Sequence, residues 1–216
     1  MRIIMWIILL IITSWPIFAS ETNSRVTMLT DTCVACHGEK GRSLGPAIPN
    51  LGGMSRTYLL GAMLAFKYED IDKLIAAIGS DSDLKDVKPF IRNSTVMARI
   101  AKGYTDSEIK VIAEYFSDQK LFIALQDVNL SLVSNGKRLH EKYCASCHQN
   151  NGKLSNVDAG VLAGQWKPYF LWTMSDYLDG SREMPRAMGV LVNNMIATSG
   201  AESLKQLANY YASATP

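Results

Sequence analysis

The chain has 216 residues, 48% hydrophobic and 19% charged, with a net charge of +2. This composition excludes intrinsic disorder, and the length allows one large domain or two small ones. The near-neutral charge, with no Lys/Arg-rich run, gives no argument for nucleic acid or an anionic membrane surface as a partner.

Residues 1–20 differ in character from the rest of the chain. Arg2 precedes an uninterrupted apolar run from Ile3 to Ile12, then Thr13, Ser14, Pro16 and the small pair Ala19 and Ser20. This is the layout of a secretory signal peptide cleaved near Ala19, and its apolar run falls short of the ~20 residues a membrane span needs. The mature chain is expected in the periplasm with no membrane span after cleavage. Four cysteines in an exported chain ordinarily mean disulfides. Their spacing argues otherwise.

A helix over about Val26–Cys36 leads into Cys33-Val-Ala-Cys36-His37, a Cys-x-x-Cys-His haem-attachment signature. Two thiols three positions apart on a helical turn can form thioethers to the two vinyl groups of one porphyrin edge, and the adjacent imidazole is aimed at the iron. A metal-bound His normally donates its other ring nitrogen to a backbone carbonyl. Pro49 is placed to supply that carbonyl. Ser55–Tyr68 has helical periodicity, and an amphipathic stretch near Asp70–Ile78 comes next. Ser94-Thr-Val-Met97 lies in a predicted loop leading to a closing helix, which opens with the capping box Thr105-x-x-Glu108 and carries Ile109, Ile112, Ala113 and Phe116 on one face. Residues 119–131 are the linker.

The second half repeats this design. At an offset of 111 positions, Cys144, Cys147 and His148 fall on Cys33, Cys36 and His37, and Tyr169, Leu171 and Met174 fall on Tyr58, Leu60 and Met63. The opening helix is predicted over Leu132–Cys147 and the next over Trp166–Leu178. The closing helix has Leu204, Leu207, Ala208 and Tyr211 on one face and a capping box at Ser199-x-x-Glu202. The same offset puts Gly160 in the place of Pro49, which predicts a looser second pocket. His140 reads as an ordinary surface residue. No strand is indicated, so the fold is all-α: two domains related by internal duplication, over residues 21–118 and 132–216.

A thioredoxin-like redox pair does not call for a His beside the motif, and a zinc ribbon needs compact spacing between its Cys pairs. The cofactors implied are two haem c groups, each iron holding His37 or His148. Methionine is the usual second axial donor in cytochromes c. Met97 is the candidate in the first half. In the second, Met184 is favoured by Pro185, which fixes the backbone just past the sulfur, while spacing to the closing helix favours its rival Met188. Met54, Met63 and Met174 read as core filler. An iron left open would instead suit oxygen or peroxide chemistry.

The runs Ser94–Asp106, Leu139–His148 and Leu162–Tyr169 with Met174-Ser-Asp176 resemble the dihaem cytochrome subunits of flavocytochrome c sulfide dehydrogenases. More broadly the chain is similar to the cytochrome c4 family. The resemblance implies two tandem class I cytochrome c domains that take electrons from an FAD-containing, sulfide-oxidising flavoprotein subunit, the pair forming a heterodimer. Electrons would pass to a downstream acceptor such as a small cytochrome or an oxidase, with no catalysis on this chain. The alternative is a free periplasmic carrier serving a terminal oxidase. Carried over by position, Cys33, Cys36, His37 and Met97 hold one haem, and Cys144, Cys147, His148 and Met184 the other. Residues 69–93 depart from the family, which has a shorter connection there. They are either an extra surface helix or a remodelled partner contact.

Overall fold

The computed structural model describes residues 19–154 and 158–215. The export segment expected at residues 1–20 falls almost wholly outside them, and no helix among the described residues is long and apolar enough to cross a membrane. Nine α-helices make up the described fold, and among the described residues β character is limited to isolated bridge positions, Arg92 paired with Arg182 and Ala159. The all-α reading holds.

The first half contains α1 (Ala19–His37), α2 (Arg56–Tyr68), α3 (Ile71–Gly79), α4 (Thr95–Lys102) and α5 (Asp106–Ser117). Ser55 caps α2 by accepting from Tyr58 N at 3.1 Å, and Thr105 and Glu108 close the predicted capping box on α5. Leu60 and Leu64 of α2 meet Ile109, Ile112 and Phe116 of α5 in one core, each such buried side chain contributing roughly 1.5–3 kcal/mol.

The second half contains α6 (Leu130–Leu139), α7 (Lys167–Leu178), α8 (Arg186–Ser199) and α9 (Glu202–Ala212) around a core of Phe170, Met174, Met195, Leu207 and Tyr211. The opening helix is not uniform: His140–Cys144 is a π turn, in which Ala145 N donates to His140 O at 2.9 Å. Gly136 lets α6 lie directly on α9, since a Cβ there would fall 2.1 Å from Gln206 O.

Three expectations are corrected. Met97 lies in helix α4, not in a loop, because Ser94 caps that helix by accepting from Met97 N at 3.2 Å. The Ser199 capping box does not form: α8 runs through Ser199, and Gly200, at φ 75°, ends it, so the serine is already spent as a helical residue. His140 is not a surface residue; it is 1% exposed, held beneath α9 by its bond to Tyr211.

The halves dock closely. Asn50 N donates to Gln165 Oε1 at 3.0 Å, and Gln165 Nε2 returns a bond to Asn50 O at 2.8 Å. The linker is a packed strap, with Ala124 buried and its N donating to Gly164 O at 3.0 Å. The inserted segment does two jobs. Leu74, Leu84 and Val87 enter the first core, while Lys88 pairs with Asp158 at 2.6 Å and Ile91 N donates to Glu183 Oε2 at 3.1 Å across the domain boundary.

Candidate haem sites

Each Cys-x-x-Cys-His sequence ends its domain's opening helix. In the first domain Cys33 packs on the core beside Leu29, Cys36 is exposed, and His37 is buried at 8% exposure. Its Nδ1 lies 2.9 Å from Pro49 O. The second domain repeats this with His148 Nδ1 2.9 Å from Gly160 O. A carbonyl only accepts, so Nδ1 carries the proton in both rings and Nε2 is left with its lone pair for a metal. Burial outweighs the carbonyl bonds and holds both imidazoles below the ordinary histidine range, in the neutral form that ligates. No disulfide joins the four cysteines.

A Cβ at Gly160 would fall 2.9 Å from the Tyr58 ring of the first domain, so a larger residue here would press on that ring.

Cys144, Cys147 and His148 line one cavity with Phe170 of α7 and Met188 of α8. Met188 is the third residue of α8, as Met97 is of α4. Met184 precedes α8, packs on the second core and has its sulfur near Gly189. Met54 and Met174 are buried as core residues and also line this cavity. A thiol pair, a pre-oriented imidazole and a thioether around an apolar cavity are the donor set that covalently bound haem requires.

The first domain contributes Tyr58, Lys88, Phe90 and Arg92 to the same cavity. Arg92 lies over the Tyr58 ring with its Cζ 4.9 Å from the centroid, and Arg182 over Tyr177 at 4.7 Å. Burial alone would raise the Tyr58 phenol, but the two guanidiniums overcome it and bring it down to about 8. Beside Cys144, Tyr211 shares a hydrogen bond with His140 Nδ1 at 2.9 Å. Sequence reasoning missed both groups. The duplication held a signal for the second, since His140 and Tyr211 fall where the first domain has Leu29 and Phe116.

The cytochrome c family profile matches residues 25–120. The cytochrome subunit of sulfide dehydrogenase from Chlorobaculum tepidum is 38% identical over 103 residues, 48% of this chain and 74% of that protein. This chain belongs to the cytochrome c family. Cytochrome c4 of Pseudomonas aeruginosa is 29% identical over 160 residues, 69% of this chain and 68% of that one. Among solved structures, reduced recombinant cytochrome c4 from Pseudomonas stutzeri superposes with a TM-score of 0.66 at 23% identity, covering 89% of this chain and 98% of its own. The fold is therefore that of two tandem class I cytochrome c domains. The protein is a cytochrome c4-like dihaem cytochrome with two haem c groups, and its role is electron transfer.

Proposed function

We propose that this chain is the electron-transfer subunit of a sulfide-oxidising enzyme. An FAD-containing flavoprotein subunit forms a heterodimer with it and carries the catalysis. The dihaem chain receives electrons one at a time and delivers them to a small cytochrome or an oxidase in the periplasm, residues 1–20 having been removed on export. The observation that carries this reading is the 38% identity to the C. tepidum sulfide dehydrogenase subunit. The second reading, a free periplasmic carrier, is favoured by the longer alignment to cytochrome c4.

In residues 21–118, Cys33 and Cys36 tether one haem and His37 and Met97 complete its iron. In residues 132–216, Cys144 and Cys147 tether the other, with His148 and Met188 on the iron. Met188 is preferred to Met184 because it shares the helical position of Met97 and lines the cavity. Haem supplies a one-electron iron couple, and a thioether donor raises its potential. The protein's part is to fix the imidazoles through Pro49 and Gly160 and to wall the cavity from water with apolar side chains.

The test is purification of the native protein from periplasm, followed by addition of sulfide. A flavoprotein held through a large interface, with haem reduction by sulfide only in its presence, is the expected result. Isolation as a lone monomer that sulfide does not reduce, with or without other periplasmic fractions, favours the free carrier.

A further inference from the structure

The backbone bridge between Arg92 and Arg182 sets two like charges directly opposite each other, an arrangement that is destabilising in any sheet-like pair. Both arginines are half-buried and line the cavity that holds Cys144, Cys147 and His148. Among the described residues, neither forms an ion pair with a carboxylate. The two acidic residues of the cavity wall are already engaged, Asp158 by Lys88 at 2.6 Å and Glu183 by Ile91 N at 3.1 Å. The arginines have tyrosines, Tyr58 and Tyr177, against their faces, and both hydrogen-bond the Tyr58 phenol, Arg182 that of Tyr169 as well. Neutral phenols leave both positive charges of the two converging guanidiniums in place, so an anion in the cavity would offset their repulsion and desolvation. Haem carries two propionate carboxylates, and the planar guanidinium fork suits a carboxylate better than any other side chain does.

We propose that Arg92 and Arg182 together clamp the propionates of the haem held by Cys144 and Cys147, and that their positive charge raises that haem's potential. The proposal rests on the assignment of this cavity to the second haem. It also gives the inserted segment a purpose: residues 69–93 carry one arm of the clamp from the first domain into the second domain's site. Arg92 and Arg182 are positioning residues here, acting on the haem's charge and not on its iron. Because one arm belongs to each domain, the second haem's potential depends on the domains remaining docked.

The experiment is a potentiometric titration of the full-length dihaem protein and its Arg92→Gln and Arg182→Gln variants, with haem content measured by mass. Both variants are expected to lower the same one of the two haem waves, each by about tenfold in the one-electron reduction constant, or about 59 mV. The other wave should stay within twofold, and the wave that moves should be the one displaced by Met188→His. Arg92→Lys, which keeps the charge but loses the fork, should fall between wild type and Arg92→Gln. Unchanged potentials in either glutamine variant overturn the clamp, as do shifts in different waves or in the first haem's wave alone. Should Arg92→Gln lose haem, Arg92→Lys decides by the same titration, a shift supporting the clamp and no shift refuting it. A peptide spanning Cys144 and Cys147 that lacks haem mass refutes the site assignment itself, which is a separate result from an unmoved potential.

Discussion

His140 and Tyr211 form a buried polar pair in the second domain, where the corresponding residues of the first are Leu29 and Phe116. The two differences are visible only when the halves are laid on one another, because a lone histidine ahead of a haem motif has no periodic partner, whereas Cys, Cys and His at fixed spacing carry their chemistry openly. Burial holds His140 below the ordinary imidazole range, the nearby Glu141 opposing this only in part. The native state thus binds fewer protons than the unfolded chain in the window below about pH 6.5. Stability from this residue is present above that value and is lost as pH falls toward the depressed native value. His140→Leu should flatten this acid-side loss, seen as Tm against pH. At neutral pH the same change leaves the Tyr211 hydroxyl without its imidazole and should cost about 1–3 kcal/mol. A wild-type Tm with no slope below about pH 6.5 would show that His140 does not titrate with folding.

At the scale of elements, the helices whose faces repeat every three or four residues were legible: α2, α5, α7 and α9 all fall where periodicity puts them. What was not legible was how far α4 and α8 extend. The start of α4 depends on Ser94 reaching Met97 N, and α8 continues past Met195 to Ser199, which turns an apparent capping serine into a helix end. That extra length explains why counting back from the closing helix separates Met97 from either candidate in the second domain, while counting forward from the helix start aligns it with Met188. The helix start is the better reference, since the third residue of each helix is fixed relative to the loop that delivers it. Met188→Ala should therefore open one of the two irons, so that the reduced protein binds carbon monoxide at half of its haems. Met184→Ala should bind no more than wild type. The reverse pattern would place the ligand at Met184.

For the whole molecule, duplication was visible as a fixed offset, but the contact between the copies was not. It joins Asn50 to Gln165, residues far apart in the chain and of types without a patterned signature. It is also asymmetric, because the position matching Gln165 in the first domain is Met54. Asn50 is 2% exposed and Gln165 is 5% exposed, so the amide bonds between them are shielded from water. Gln165→Ala would leave the Asn50 peptide N–H and carbonyl without partners in a buried place, at about 1–3 kcal/mol for each group left unsatisfied. The strap keeps the domains tethered, so this loss should loosen docking before it unfolds either core. Calorimetry should then resolve two transitions in Gln165→Ala where the wild type melts as one. Asn50 directly follows Pro49, whose carbonyl lies 2.9 Å from His37 Nδ1, so a loosened interface should also broaden the first haem's axial-ligand spectrum. A single transition at the wild-type Tm with an unchanged spectrum would mean that the strap and the inserted segment hold the domains together without this pair.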